Sequence, residues 1–550
     1  MTLLRPRTAF PLAIALLAFL FLGLFLLYPV FSVLAVSFLD KAGHLTAANY
    51  VRILGRSFYQ HSLWNSLWIG ALATLATTAL GVPLAFCLAR LPVPGKSAIL
   101  VLAALPLVLP SFVGAYALVL LFGRAGVVTH FLRDLGIPFG SIYGTPGLVW
   151  IYTLTLYPYV LLPTLAAFKA VDVSIEEAGL NLGASRWRVF WTVILPVVLP
   201  SVLSGALLVL METLENFGVP FVLAEDKPIL AVEAYKLFAG EVASNSASAG
   251  VLAVLLVACT STALLLQRHY LRRRRFATGA RAAPPELRTG FGLRLLATVF
   301  CWGSVLAALV PFFAVLVISF LEYRGPVLHG NFSLGNFADL LNRSSRPLVN
   351  TVTLATAAAL GAAVLGVPIG YVLTRYRSGI SDLLDVVAMM PFAIAGTVLG
   401  IGLVVAYNSG VLILTGGPLI MVIAYVVRKL PFNVRASGAI LHQLDPSLEE
   451  ASINLGVSPA RTFFQLTVPM MLGGIVGGMV LTWVTVASEL SSTVILYSGP
   501  WATMTVVMFQ ALEGTGAGVA AAAAAVLILA TVVPLLLVYR LLRRHELAVM

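Results

Sequence analysis

The sequence predicts an all-α polytopic membrane protein of twelve transmembrane helices, arranged as two parallel six-helix repeats. Three observations predict it. Of the 550 residues, 60% are hydrophobic and only 10% are charged. A soluble domain carries about 25% charged residues, so the apolar surplus must face lipid. Twelve stretches reach the roughly 20 mostly apolar residues that a spanning helix needs. Finally, one polar string occurs twice, 273 residues apart: VDVSIEEAGLNLGASRWRVFWTVILP at 171–196 and LDPSLEEASINLGVSPARTFFQLTVP at 444–469.

The first predicted span, 12–38, follows Arg5 and Arg7. It is too long for a signal-peptide core, and no small-residue cleavage site precedes Asp40. The next five are 64–89, 98–122, 146–168, 192–214 and 249–267. The second set is 295–320, 350–374, 382–406, 411–430, 468–488 and 517–540. Between the sets, 268–294 is basic and rich in Pro and Gly, as a linker is. The expected domains are therefore a first half at 1–267, the linker at 268–294 and a second half at 295–550.

Six spans per half put the two halves in the membrane in the same sense, as a parallel repeat about an axis along the membrane normal. The halves match beyond the polar string. SFLD at 37–40 answers SFLE at 319–322, and GVPLAFCLAR at 81–90 answers GVPIGYVLTR at 366–375. Pro106 answers Pro391, and Pro158 answers Pro431. The offset falls from 285 to 273 across residues 123–145, so the extra residues of the first half belong in that loop.

Twelve spans also place both termini on one side. Of the 34 Lys and Arg residues, ten fall on the opposite side: Lys41, Arg52, Arg56, Arg124, Arg133, Lys227, Lys236, Arg324, Arg343 and Arg346. The remainder share the side of the termini, the linker and both polar strings. Basic residues gather on the cytoplasmic side, so both strings and both termini are expected there. The net charge of +12 and the run of arginines at 272–275 are read the same way, as topology rather than nucleic-acid binding.

Within each string, Ser174-x-x-Glu177 and Ser447-x-x-Glu450 fit a capping box, in which serine and glutamate satisfy one another's backbone amides. A short helix should begin there. Ile175, Ala178 and Leu182 share a face, as do Leu448, Ala451 and Leu455. Gly183 and Gly456 stand where a helix ends in a left-handed turn. Arg188 and Arg461 follow at equal distances, then Pro196 and Pro469. Capping alone would explain Glu177 and Glu450. It does not explain two matching polar loops, down to Asn181 and Asn454. A short amphipathic helix presented twice at a membrane surface predicts docking of a soluble partner with two equivalent sites.

The pattern Glu-Ala-x, a Gly six residues after the Glu and a Pro thirteen further on resembles the EAA motif of ABC importer permeases. It reads Glu177-Ala178-Gly179, Gly183, Pro196 and again Glu450-Ala451-Ser452, Gly456, Pro469. Gly179 and Ser452 replace the third alanine. The resemblance covers essentially the whole chain, as two permease halves fused, and the fused form looks most like the ferric-iron permease family. It implies a type I ABC importer permease fold in a bacterial inner membrane. It also implies coupling helices, marked by Glu177, Ala178, Gly183, Arg188, Glu450, Ala451, Gly456 and Arg461, seated in two copies of a cytoplasmic ATPase subunit that uses ATP and Mg. A periplasmic or lipid-anchored binding protein would deliver the solute. The chain has no G-x-x-x-x-G-K-[ST] phosphate loop, so it is expected to be a transport subunit rather than an enzyme, binding no cofactor itself.

Candidate pore or gate residues are the acidic groups at the ends of the fifth and eleventh spans: Glu212, Glu215 and Asn216, and Glu489. Ionisable groups at membrane depth are costly and usually face a cavity or a partner. Solvation at the interface is the plainer reading. Asp382 and Asp385 need only helix-dipole and salt-bridge roles beside Arg375 and Arg377. The seven histidines have no metal spacing, and Cys87, Cys259 and Cys301 read as small packing residues. Ferric iron leads as cargo by resemblance, with a phosphonate, sugar phosphate or thiamine as alternatives. An ion-coupled secondary transporter would need matching midplane charges. A scaffold without transport would leave the two-fold bundle unexplained.

Overall fold

The computed structural model describes residues 6–40, 42–124, 126–138, 140–240, 246–273, 286–287, 289–324, 327–343, 345–512 and 516–548. The chain forms two compact units. One comprises Val51–Glu233 and Leu255–His329, and the other Met1–Tyr50, Ala234–Val254 and Gly330–Met550. These units cut the chain differently from the sequence halves 1–267 and 295–550, because each takes its opening span from the other repeat. Residues 274–285 and 288 of the linker lie outside the described residues.

In the first unit, three long helices form the centre: Ser57–Arg90, Thr145–Lys169 and Leu195–Glu215. Their apposition depends on missing side chains. A Cβ at Gly81 would lie 3.0 Å from Val160 Cβ, and one at Gly205 only 2.8 Å from Val160 Cα. Between helices in lipid, such small residues let backbones approach and replace the hydrophobic drive that water supplies elsewhere. The helix Phe291–Ile318, opening the second repeat, packs in this unit. Trp302 Nε1 donates to Pro94 O at 3.2 Å, and Phe312 fills the space beside Gly114. Cys87 and Cys301, remote in sequence, come close to one another in this unit, a proximity that spacing alone does not reveal.

The second unit repeats the centre with Arg346–Arg375, Pro418–Leu441 and Leu472–Ala487. Here Gly366 and Gly478 both close on Asn433, the counterpart of Val160. The opening helix Pro6–Leu22, its π-helical turn Gly23–Leu27 and Tyr28–Ser37 pack in this unit. Tyr407 Oη donates to Leu24 O at 2.7 Å, and Phe10 meets Phe463 with ring centroids 5.6 Å apart.

Among the described residues, nine helices are long and apolar enough to cross a membrane, or eleven if each bent pair is one span. With bent pairs counted as one, eleven of the twelve expected spans have a counterpart; the tenth, a helix carrying Arg428, Lys429 and Arg435, is not among them, and some of the others are broken. Span 98–122 is two helices, Lys96–Val108 and Ser111–Phe122, separated at Leu109-Pro110. Span 382–406 becomes Gly379–Met389, the 3-10 turn Met390–Ala393 and Gly396–Tyr407, bent by 106°. Span 468–488 is bent by 74° between Met470 and Leu472. Hydropathy reports where the chain is apolar, not whether its helix is continuous.

The tenth span needs a further correction. It was expected at 411–430 but runs Pro418–Leu441. Asn408-Ser409-Gly410 and Thr415-Gly416-Gly417 enclose the apolar run 411–414 in a loop, with Gly410 and Gly416 at positive φ. Arg428 and Lys429 therefore lie in the helix interior rather than at its end. Among the described residues, the all-α expectation is relieved only by small features outside the spans: a ribbon of Leu321–Arg324 and Val327–Phe332, and at the matching point a single bridge from Leu39 to Leu45.

Candidate functional site

Each polar string folds into the same device. Helix Val173–Asn181 is capped by Asp172, whose carboxylate accepts from Ser174 N at 2.9 Å. Helix Ser447–Asn454 is preceded by Asp445, which accepts from Ser447 N at 2.9 Å. This corrects the capping boxes expected at Ser174 and Ser447. The aspartate two residues earlier reaches the free amide first, and the serine lies inside the first turn. The amide bonds hold both carboxyls below the usual carboxylate range.

Both helices end as expected. Gly183 and Gly456 have φ of +85° and +90°, with open space where a Cβ would stand. Ala184 N donates to Gly179 O and Gly183 N to Leu180 O, and Val457 and Gly456 repeat the pattern with Ser452 and Ile453. These are Schellman closures. A second cap follows at once: Ser185 Oγ accepts from Arg188 N at 3.3 Å, and Ser458 Oγ from Arg461 N at 3.4 Å. A π-helical turn comes next in both copies, Phe190–Ile194 and Phe463–Thr467.

The faces divide sharply. Glu177, Ala178, Gly183 and Arg188 are exposed, as are Glu450, Ala451, Gly456 and Arg461. With them stand Leu182 and Leu455, 89% and 85% exposed. The expected apolar faces thus exist and are uncovered. The opposite face explains the two departures from the motif. Gly179 lies against Val189, where a Cβ would come within 3.1 Å, and at the same pair of positions Ser452 Oγ meets Thr462 Oγ1 at 2.9 Å.

Sequence reasoning singled out the outer glutamate of each pair and missed the inner one. Glu176 forms an ion pair with Arg90, the last residue of helix Ser57–Arg90. Glu449 pairs with Arg375 Nε at 3.1 Å, at the end of Arg346–Arg375. Arg375 Nη2 also donates to Leu444 O, and Tyr371 Oη donates to Glu449 Oε2, each at 3.1 Å. Beside each pair an aromatic contact repeats: Phe86 on Phe190 with centroids 5.4 Å apart, and Tyr371 on Phe463 at 4.7 Å. The signal was available. Both arginines close the repeated GVP string, and adjacent helical residues point about 100° apart, so one glutamate of each pair had to face inward.

The candidate pore residues fall into separate units. In the first, Tyr159 Oη donates to Glu212 Oε1 at 3.4 Å, and Glu215 is half-buried. Asn216 Nδ2 donates to Ser111 Oγ at 3.1 Å, and its Oδ1 accepts from Val219 N at 2.9 Å. In the second unit Glu489 is buried and paired with Arg428 at 2.5 Å and Lys429 at 3.5 Å. It also accepts from Ser492 N at 3.2 Å. Arg428 stands ten residues into a 24-residue helix, so this charge cluster lies about halfway along that helix. Asp385, read from sequence as a salt-bridge residue, pairs with Arg435 at 3.3 Å. Among the described residues, no group of three or more His, Cys, Asp or Glu side chains is placed to hold a metal ion.

Residues 78–276 and again 362–549 match the family described as binding-protein-dependent transport system inner membrane component. The chain is 28% identical over 520 residues to a ferric transport system permease protein FbpB of Actinobacillus pleuropneumoniae, covering 90% of this chain and 73% of the relative. It is 29% identical over 512 residues to a putative ferric transport system permease protein FbpB 1 of Haemophilus influenzae, covering 88% and 78%. A sulfate transport system permease protein CysW of Synechococcus elongatus is 27% identical over 241 residues, covering 42% of this chain and 82% of that protein.

Proposed function

Because the chain belongs to the family of binding-protein-dependent transport system inner membrane components, matched by both of its repeats, we propose that it is the ABC importer permease that carries ferric iron across the inner membrane. The observation that supports this most is the pair of capped helices with uncovered apolar faces, 173–181 and 447–454. Two equivalent docking helices suit two copies of an ATPase subunit. Glu177, Ala178, Gly183 and Arg188, with Glu450, Ala451, Gly456 and Arg461, form the docking faces. ATP-driven approach of the two subunits would move the docking helices and switch access to the path.

Ferric iron as cargo rests on the two ferric relatives that span most of this chain. The basic excess on one side supports cytoplasmic docking loops and termini. A periplasmic or lipid-anchored binding protein would bring the iron and confer most of the selectivity. Glu212, Glu215, Asn216 and Glu489 are the candidates for lining or gating the path.

The test is reconstitution of the chain with its ATPase in liposomes, with iron-loaded binding protein outside. ATP-dependent iron uptake is expected, uncompeted by phosphonate, sugar phosphate or thiamine. Uptake of one of those solutes instead would reassign the cargo. Transport without any ATPase would overturn the importer reading.

A further inference from the structure

The chain connects each docking helix to only two of the three central helices of its unit. Helix Val173–Asn181 lies between Thr145–Lys169 and the run Arg186–Glu215. Helix Ser447–Asn454 lies between Pro418–Leu441 and Leu472–Ala487 with its bent lead-in. The third central helix, Ser57–Arg90 or Arg346–Arg375, is remote in sequence. It reaches the docking helix through its terminal arginine, Arg90 to Glu176 and Arg375 to Glu449, with Tyr371 adding a hydrogen bond to Glu449 in the second unit.

We propose that Arg90 and Arg375 are positioning residues that pin each docking helix to this third helix, so that a push on its outer face moves all three central helices as one body. The proposal rests on the importer reading and deepens it. Three observations carry it. The pair forms independently in both units. It forms across sequence separations of 86 and 74 residues, so it does not follow from local proximity. Its members are shielded, with exposures of 4% and 14% in the first copy and 13% and 12% in the second, where an ion pair fixes geometry better than at an open surface. The glycine contacts at 81, 205, 366 and 478 bring the three helices into close packing. Without the pin, displacement would reach two of the helices through the chain and the third only through that packing.

The experiment compares wild type with Glu176→Gln, Glu449→Gln, Arg90→Glu, Arg375→Glu and the swaps R90E/E176R and R375E/E449R, each reconstituted with the ATPase. The readout is ATP hydrolysed per solute carried. A residue that only aids folding would change yield and heat resistance, not this ratio. We expect the single variants to raise the ratio about tenfold and the swaps to return it to within about threefold of wild type. Backbone hydrogen exchange on the chain alone, without ATPase, provides a second measurement: protection at 176–182 and 449–455 should fall in the single variants and return in the swaps. Folded single variants with a wild-type ratio, or protection unchanged by every substitution, would overturn the pin. A wild-type complex that fails to couple ATP to transport would instead sink the importer reading.

Discussion

In the first unit the interrupted third span resumes as a helix at Ser111, after Pro110 in extended conformation. Asn216 crosses to it with a neutral hydrogen bond. At the matching point of the second unit the helix resumes at Gly396 after an extended Ala395. Here Arg428 stands in place of Thr155 and Glu489 in place of Asn216, and the contact made there is a buried ion pair that packs beside the resumed helix. Gly396 makes it possible: a Cβ there would lie 2.5 Å from Arg428 Nη1. Two copies of one break thus carry different chemistry beside them, at four matched positions: Ser111 and Gly396, Thr155 and Arg428, Leu156 and Lys429, Asn216 and Glu489. The docking loops are the reverse case. Asp172 and Asp445, Glu176 and Glu449, Gly183 and Gly456, Ser185 and Ser458 keep identity and role. On the proposed function, two like ATPase subunits would demand two like surfaces, whereas the surroundings of a helix break within each unit are free to differ.

The contrast is broken most forcefully at the ion pair. Glu489→Gln or Arg428→Thr alone leaves a buried charge without its main partner and should cost about 3–5 kcal/mol. Asn216→Ala removes one neutral hydrogen bond and should cost about 1 kcal/mol. Thermal unfolding of the purified chain in detergent compares them; equal losses would erase the distinction. The quadruple variant G396S/R428T/K429L/E489N, which rebuilds the first unit's residues at these positions, should recover most of the loss. Next in size is Gly396→Ala, expected to cost about 1–3 kcal/mol by overpacking. That cost should shrink when Arg428→Thr is added, as a double-mutant cycle would register.

Smaller effects test the sameness of the docking loops. Gly183→Ala and Gly456→Ala meet no neighbour, so each should lose only the cost of a left-handed backbone, about 1–2 kcal/mol, and by similar amounts. Unequal losses would show that the loops differ after all. The smallest effect is pH-dependent. Asp172 and Asp445 titrate below their ordinary value because amides bind the charged form. Their caps therefore contribute fully above the unfolded carboxylate range and weaken as pH falls below about 4. Hydrogen exchange at Ser174 and Ser447 followed into acid should show the two caps released together.

Much of this was legible in the chain. The repeat, the short docking helices, their glycine stops and their exposed apolar faces follow from spacing and capping chemistry, which are local. The losses came where geometry is set by remote partners. The run 411–414 is as apolar as a span, yet two glycine turns put it in a loop, which moved Arg428 and Lys429 into the helix interior. For the Arg90–Glu176 pair the chain offered an inward glutamate and a matched arginine but not their meeting across a long separation, and no local pattern states that two halves exchange their opening helices. Glu489 was legible as costly but not as paired, since its partners lie on another helix.

Site-directed cross-linking tests the central claim most directly. A cysteine at Ala178 or Ala451, in a chain with Cys87, Cys259 and Cys301 replaced, would be probed in native membranes. The account predicts that both positions cross-link to the ATPase subunit and that neither reacts with an impermeant thiol reagent applied from the periplasmic side. Labelling from that side, or the absence of any cross-link to a nucleotide-hydrolysing subunit at both positions, would contradict it.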